Sequence, residues 1–145
     1  MQEKEPIMLF HVTIDPADIT DVKCGLEAAT IIPFHATVDS PLFTGETVPG
    51  SVDVQQENAA GIRSLCARYA FRGTDREGTP CTLFVENCGW FQTGRQPGTP
   101  LHACPRFLTD SKALAPYLSQ PRFRTEVHGT EKGVDIWVFD VVWPS

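Results

Sequence analysis

Hydrophobic and polar residues alternate along much of this chain with a period of two, which is typical of a half-buried β-strand. The clearest example covers residues 61–91, where two alternating segments flank a polar, glycine-containing centre at residues 74–78. This pattern predicts an antiparallel hairpin. Placing Arg68 opposite Glu86 brings the apolar residues of both strands onto one face, which is the register that burial favours. That face holds Leu65, Ala67, Tyr69, Phe71, Leu83 and Val85.

Further strand-like segments lie on both sides of the hairpin. They cover residues 8–14, 28–38, 43–48, 52–55, 122–128 and 134–143. The second contains Pro33, which cannot donate to a strand ladder, so we expect a bent strand there. The last is apolar on both faces, which favours a closed or oligomer-covered sheet.

Two segments are not strand-like. Residues 92–100 are rich in glycine, proline and polar side chains, and predict a loop that borders a pocket. Residues 110–118 predict one short helix, capped by Asp110 or Ser111, with Leu114, Tyr117 and Leu118 on its apolar side.

The length and composition point to one folded domain. The chain has 145 residues, and its 12 prolines and 11 glycines are scattered, which suits many short strands joined by turns. We therefore predict an all-β fold, a single antiparallel β-barrel of about eight strands with one short helix near the C-terminal third. Residues 1–145 form this one domain, with residues 1–6 as a flexible N-terminus.

The charge balance narrows the classes of partner. Twelve Lys and Arg stand against 18 Asp and Glu, giving a net charge of -6 and no basic stripe, so nucleic acid is not an expected partner. No apolar segment is long enough to span a bilayer, and the N-terminus lacks the pattern of a signal peptide. We expect no membrane partner and a cytoplasmic location.

The five cysteines form no C-x-x-C pair and match no zinc-ribbon spacing. We therefore expect free, buried thiols. His102 and Cys104 offer two soft ligands, but protein zinc sites need three or four, so no metal and no cofactor are predicted.

Arg68 and Glu86 are the first functional candidates because they interrupt an apolar pattern. They are either a structural salt bridge or the polar floor of a ligand pocket. If both face the lumen, Glu86 acts as a general acid or base. Burial would raise its pKa and Arg68 would lower it, and the sequence does not decide between these effects.

Other side chains carry two interpretations each. His35 either serves in proton transfer or is an ordinary surface or core residue. Asp53 either takes part in a reaction or accepts hydrogen bonds from the backbone amides of the turn. Arg106 anchors a carboxylate or forms an internal salt bridge. Tyr69 and Trp137 are core aromatics or line a pocket. No nucleophile elbow supports a Ser-His-Asp or Cys-His set.

Several segments together resemble one known family, from about Leu9 to Val141. They are LF at 9–10, PGSVD at 49–53, ARYAF at 67–71, VENCGW at 85–90, PRF at 105–107 and GVDIWVFDV at 133–141. The chain is identified as a member of domain-of-unknown-function family 3237. The resemblance implies an antiparallel barrel similar to allene oxide cyclase and dirigent barrels, whose lumen admits an apolar small molecule.

The resemblance also carries over candidate residues and shows departures. The matching positions are Asp53, Arg68, Tyr69, Asn87, Arg106 and Phe107. Where members often have Gly-Gly-Ala-Asp, this chain has Gly-Ser-Val-Asp at 50–53, and their Asn-Arg-Gly is Asn-Cys-Gly at 87–89.

Two functional hypotheses follow. The first is a small-molecule-binding barrel, an isomerase or cyclase acting on an apolar oxygenated metabolite with acid–base help from Glu86 and Arg68. The alternative is a non-catalytic oligomeric interaction module, and under both we expect a homo-oligomer. The predicted ligand-binding set is His35, Asp53, Arg68, Tyr69, Glu86, Asn87, Arg106 and Trp137.

Overall fold

A computed structural model describes residues 5–94 and 101–141 of the chain. Within these ranges it contains eleven β-strands, a 3₁₀ turn at Pro16–Asp18 and one short α-helix, α1 (Ala115–Leu118). No helix in these ranges is long and apolar enough to cross a membrane. The strands are β1 (Met8–Thr13), β2 (Thr20–Cys24), β3 (Glu27–Pro33), β4 (His35–Asp39), β5 (Phe43–Thr47), β6 (Val52–Glu57), β7 (Ile62–Asp75), β8 (Pro80–Gln92), β9 (Leu101–Thr109), β10 (Phe123–Gly129) and β11 (Gly133–Asp140).

Eight of the described strands close an antiparallel barrel. Their order around it is β7, β5, β4, β1, β11, β10, β9 and β8, and β8 pairs again with β7. The β7–β8 hairpin has the predicted register, with Arg68 opposite Glu86. The all-β barrel with one short helix is therefore confirmed.

The other three strands form an extension of the sheet. The first half of β7 pairs with β6 and its second half with β5, so β6, β3 and β2 continue outward from one end of the barrel. Gly73 lets the backbones of the paired strands β5 and β7 approach closely, because a Cβ at position 73 would overlap the carbonyl oxygen of Thr44. We call β2, β3 and β6 the extension.

The two ends of the barrel differ in packing. At the end near α1, Leu114 and Leu118 are fully buried against the aromatic rings of the lumen. Phe10 and Phe71 belong to the same hydrophobic core, and their ring centroids are 4.7 Å apart. We call this the plugged end, and the opposite end, beside the extension, the open end.

Several predicted boundaries are corrected. The segment 28–38 forms two strands, because the chain leaves β3 after Pro33 and β4 then pairs with β1 and β5. Strand β2 was not predicted, because all of its residues are exposed and show no alternation. The helix is a single turn that starts later than predicted, although the Ser111 Oγ accepts a hydrogen bond from the Leu114 N–H.

Parts of three predictions lie outside the described residues. They are the flexible N-terminus at residues 1–4, most of the loop at 95–100, and the end of the last strand at 142–143.

The expectation of free, buried thiols was wrong for four of the five cysteines. Cys66 and Cys88 form a disulfide, and Cys24 and Cys104 are exposed thiols, so Cys81 alone is free and buried. The disulfide was missed because Cys66 and Cys88 meet only once the hairpin register is known. The cytoplasmic location stays a prediction, and a disulfide counts against it because cytosolic thiols are kept reduced.

Candidate binding site at the open end of the barrel

A partly enclosed cavity of about 160 Å³ occupies the open end of the lumen. Larger depressions lie outside the barrel, on the extension and across β6–β8, but they are more open to solvent. The cavity is mainly apolar, and its polar lining residues among those described are Asp53, Gln55 and Asn87. Its apolar lining consists of Val12, Ile14, Ile32, Phe34, Leu65, Ala67, Leu101, Val127, Val134 and Ile136.

Asp53 is the charged group of this cavity. It lies on β6 opposite Ala67, so its side chain shares the inward face of the sheet. Its Oδ2 accepts a hydrogen bond of 2.9 Å from the Gln55 Nε2, whereas its Oδ1 is buried and has no hydrogen-bond partner in the described ranges. Burial raises the pKa of Asp53, while the hydrogen bond from Gln55, the positive charge of Arg63 and the backbone N–H of Cys66 act in the opposite direction.

A chain of hydrogen bonds leads from Asp53 into the extension. The Arg63 guanidinium donates to the Gln55 Oε1 at 2.8 Å and to the Thr30 Oγ1 at 2.7 Å. Thr30 in turn donates to the Asp21 Oδ1 at 2.7 Å. The chain links β6, β7, β3 and β2, and it fixes the Gln55 amide so that Nε2 faces Asp53.

Tyr69 lies below the cavity rather than in its wall. Its ring packs between those of Phe10, Phe34 and Phe71, with the Phe34 centroid 5.0 Å away. The phenol oxygen is buried and has no hydrogen-bond partner in the part of the chain that is described. Burial, with a further contribution from the charge of Asp53, raises the pKa of Tyr69 far above its usual value. Tyr69 is therefore a neutral phenol with an unused donor.

Asn87 is the third polar group near the cavity. It is almost fully buried, and its Oδ1 accepts a hydrogen bond of 3.0 Å from the Thr125 Oγ1. Thr125 Oγ1 also lies 3.3 Å from the carbonyl oxygen of Ala103. This contact joins the neighbouring strands β8, β9 and β10 on their lumen side and orients the amide of Asn87.

The structure places Arg68 and Glu86 outside the barrel, so the hypothesis that they form the floor of a lumen pocket is corrected. Arg68 Nε donates to Glu86 Oε2 at 2.9 Å, and the two side chains are 67% and 26% exposed. The physical reason is the register itself. Burial of Leu65, Ala67 and Tyr69 turns the even-numbered residues of β7 toward solvent.

The remaining candidates are also away from the cavity. His35 is exposed and lies 3.2 Å from the Glu46 Oε2. Arg106 is exposed on β9 opposite Glu86. Trp137 is on the outer face, where its ring lies 4.4 Å from that of His128. Phe107 is a core residue of the lumen. The structure thus brings together Asp53, Tyr69 and Asn87 from the predicted set.

Sequence reasoning missed Gln55, Arg63 and Thr125. A signal was present for Arg63, because it shares the alternation of Leu65 and Ala67 and is therefore a charged residue on the inward face. Gln55 is two residues after Asp53 and has the same orientation. Thr125 carried no signal, because its role depends on a contact with Asn87 38 residues away.

The arrangement offers two chemical capabilities. Asp53 Oδ1 is a hydrogen-bond acceptor that no group within the described residues uses. A buried carboxylate with a raised pKa can also exchange a proton with a bound molecule. No cluster of three or more His, Cys, Asp or Glu side chains suited to a metal ion occurs in residues 5–94 and 101–141.

Comparison with solved structures supports the barrel architecture. A protein of unknown function from Clostridium acetobutylicum matches with a TM-score of 0.75 and 19% identity, over 95% of each chain. A conserved protein of unknown function from Rhodopseudomonas palustris matches with a TM-score of 0.72 and 23% identity, over 98% of this chain and 100% of that one. A beta-barrel like protein from Acinetobacter baumannii gives a TM-score of 0.72 and 16% identity, over 94% and 93% of the chains.

These similarities establish the fold, and the descriptions of the three similar proteins name no activity. A search of curated proteins finds no match. The family model described as "Protein of unknown function (DUF3237)" matches residues 3–142. The predicted family is therefore confirmed, and the chain belongs to DUF3237.

Proposed function

We propose that the protein binds a ring-sized apolar molecule carrying a hydroxyl group in the open-end cavity, with the hydroxyl donating to Asp53 Oδ1. The observation that carries this proposal is the buried Oδ1 of Asp53, which has no hydrogen-bond partner among the described residues and belongs to a residue that lines a mainly apolar cavity. Small-molecule sites commonly combine an apolar lining with a few placed polar groups.

The size of the cavity supports a small ligand. Its volume of about 160 Å³ is close to the roughly 150 Å³ that accommodates benzene in an apolar protein cavity. It is well below the range of about 300–1,000 Å³ that is typical of drug-sized ligands. A single ring fits inside, and larger molecules would extend out of the open end.

The energetic cost of the free oxygen supports a polar group on the ligand. A buried acceptor without a partner costs about 1–3 kcal/mol. A native protein retains such a group when a ligand, water or catalytic role explains it. A hydroxyl on the ligand would satisfy Asp53 Oδ1 without disturbing the bond from Gln55 to Oδ2.

A pair of nearly isosteric probes tests the proposal. We expect phenol to bind wild-type protein more tightly than toluene, measured by titration calorimetry. Asp53→Asn keeps the shape but removes the negative charge of the acceptor, so it should reduce phenol affinity roughly tenfold, the equivalent of one hydrogen bond. Toluene affinity should stay unchanged.

Asp18→Asn provides the matched control, because it removes the same charge at an exposed position. It should leave both affinities unchanged. Equal affinity of wild-type protein for phenol and toluene, or no binding of either, would contradict the proposal.

We further propose that Asp53 is the acid–base group if the protein is an isomerase. Glu86 and Arg68, which the sequence suggested for this role, lie outside the barrel. In a bound ring ketone, the carboxylate would take a proton from the carbon next to the carbonyl and return it. Deuterium exchange into cyclopentanone, followed by NMR, should be faster than in buffer and lost in Asp53→Asn. Exchange at the buffer rate would leave a binding protein without this catalysis.

The alternative, a homo-oligomeric interaction module, rests on the outer face of β8 and β9. Phe84 lies opposite Leu108, which is 67% exposed, and Trp90 on β8 is 69% exposed. Trp137 and Phe139 of β11 are less exposed than Leu108 and Trp90, so β8 and β9, rather than β11, present the exposed apolar surface. An oligomer by native mass that Leu108→Glu converts to a monomer would support this function, and a wild-type monomer would oppose it.

A further inference from the structure

Three cysteines form a row across neighbouring strands on the outer face of the barrel. Cys66 on β7 lies directly opposite Cys88 on β8, and Cys88 lies directly opposite Cys104 on β9. The Cys66–Cys88 pair is a disulfide, and Cys104 is a free, exposed thiol. All three point outward, because the residues flanking each of them along the strand face the lumen or the core.

We infer that this row is a thiol–disulfide exchange site, in which Cys104 attacks the Cys66–Cys88 disulfide at Cys88. The proposal concerns the outer face and is independent of the ligand in the cavity. It requires that Cys104 reach Cys88, that the attack come from the correct side, and that Cys104 be accessible.

The register provides the reach. In an antiparallel sheet, opposed pairs alternate between a narrow type, with Cα atoms about 4.5 Å apart, and a wider hydrogen-bonded type at about 5.5 Å. The Cα atoms of Cys66 and Cys88 are 4.1 Å apart, so this pair is of the narrow type. The backbone N–H and C=O of Cys88 therefore face β9, and Cys88 and Cys104 form a pair of the wider type. A Cα separation of about 5.5 Å is within the usual span of a disulfide.

The order of the strands provides the direction of attack. Displacement at sulfur proceeds with the incoming and leaving sulfur atoms on opposite sides of the sulfur attacked. Because β8 lies between β7 and β9, Cys104 approaches Cys88 from the side opposite Cys66. Cys66 itself is two strands away from Cys104, so the attack is selective for Cys88.

The exchange step balances without an oxidant or reductant. Cys104 loses its proton to solvent, and its thiolate attacks the Sγ of Cys88. The Cys88–Cys104 bond forms as the Cys66–Cys88 bond breaks, and the electron pair passes to the Sγ of Cys66, which takes up a proton. The cross-link thereby moves from β7–β8 to β8–β9, with no change in mass.

Disulfide mapping of natively folded wild-type protein tests the exchange. After incubation with iodoacetamide in mildly alkaline buffer, we expect label on Cys66 together with a Cys88–Cys104 linked peptide. Cys104→Ser should abolish both, because it removes the nucleophile. Label on Cys104 with none on Cys66 would overturn the proposal.

Two other cysteines provide internal controls. Cys24 is exposed on β2 and away from the row, so it should be labelled in every variant and should join no disulfide. Cys81 is buried and should stay unlabelled as long as the protein is folded. A disulfide between Cys24 and Cys88 would show random scrambling and would overturn the proposal.

Cys66→Ser tests the geometry separately from the kinetics. Under oxidised glutathione, this variant should form the Cys88–Cys104 disulfide while Cys81 stays unlabelled. A folded Cys66→Ser protein that leaves Cys88 and Cys104 unlinked would show that the pair is out of reach.

Discussion

Two aspartates at opposite ends of the barrel have opposite environments. At the plugged end, Asp75 Oδ1 accepts from the N–H groups of Glu77 and Thr79 at 2.9 and 3.0 Å, and its Oδ2 accepts from the Ser111 Oγ at 2.6 Å. At the open end, Asp53 Oδ2 accepts one bond and Oδ1 has no partner among the described residues. Both oxygens of the Asp75 carboxylate accept hydrogen bonds from the protein, whereas only one oxygen of the Asp53 carboxylate does so within the described residues.

The pKa directions follow from this difference. The hydrogen bond from Ser111 and those from two backbone N–H groups lower the pKa of Asp75, despite its burial. Burial raises the pKa of Asp53, because its hydrogen bonds do not compensate for the lost solvent. Hydrogen bonds to the charged form stabilise it, and desolvation disfavours it. These directions favour a structural role for Asp75, and they are why we propose Asp53 as the ligand-binding carboxylate.

The packing around the two aspartates shows the same contrast. Beside Asp75, the Ser111 Oγ also accepts from the Leu114 N–H, which anchors the helical turn over the lumen. Leu114 and Leu118 then fill the plugged end. Beside Asp53 no such turn occurs in the described part of the chain, and the lumen keeps its cavity.

The largest predicted effect comes from truncating a leucine at each end. Leu83 is 0% exposed in the packed lumen, and Leu83→Ala should cost about 3–5 kcal/mol in the free energy of unfolding. Leu65 borders the existing cavity, so Leu65→Ala removes fewer contacts and should cost roughly 2 kcal/mol. Urea unfolding of both variants measures the difference. Equal costs would show that the two ends are packed alike.

A smaller effect, opposite in sign at the two ends, is expected from removing each carboxylate charge. Asp75→Asn should destabilise the protein at neutral pH, because the Ser111 hydroxyl loses its charged acceptor. Asp53→Asn should leave the stability unchanged or raise it, because it removes a desolvated charge. Thermal unfolding at neutral pH compares them, and destabilisation by Asp53→Asn beyond that of Asp75→Asn would contradict the assignment.

The pH dependence sharpens the same comparison. Asp75 has a folded pKa below its ordinary 3.8, so its stabilising contribution is present above 3.8 and is lost as the pH falls through the folded value. Asp53 has a folded pKa above 3.8, so its contribution becomes unfavourable as the pH rises from 3.8 through the folded value.

The two Asn variants should therefore diverge from wild type in opposite directions as the pH rises. Relative to wild type, the stability deficit of Asp75→Asn should shrink in acid, and any gain from Asp53→Asn should vanish there. Urea unfolding across the acidic range measures both curves. Parallel curves would show that the two carboxylates experience similar environments.

The smallest effect concerns the outer surface, away from both ends. Arg68 pairs with Glu86 but is largely exposed, so Arg68→Ala should change the free energy of unfolding by about 1 kcal/mol or less. It should not alter phenol binding. A loss several times larger in urea unfolding would mean that the pair is buried in solution.

The barrel could be predicted from the sequence because its determinants are local. Alternation in residues 61–91 and the turn at 74–78 determine the β7–β8 register, and scattered prolines and glycines separate the other strands. Strand β2 could not be predicted in the same way. All five of its residues are exposed, and its pairing with β3 is the observation that identifies it.

The candidate site was only partly predictable because it depends on contacts between distant strands. Asn87 came from the resemblance, and Asp53 came both from the resemblance and from its place after the turn at Pro49 and Gly50, whereas Gln55, Arg63 and Thr125 are identified by the folded geometry. Arg68 and Glu86 stood out in the sequence as charges in an apolar pattern. The register that the same pattern predicts turns them to the outside, because only one face of each strand can line the lumen.

A crystal structure of the protein with phenol is the most direct measurement of the central claim. The account predicts the ring in the open-end cavity, beside Leu65 and Ile136, with the phenol oxygen about 3 Å from Asp53 Oδ1. The Gln55 bond to Oδ2 should remain in place. A lumen free of phenol, with Asp53 Oδ1 bonded to the Tyr69 phenol or to a water, would contradict it.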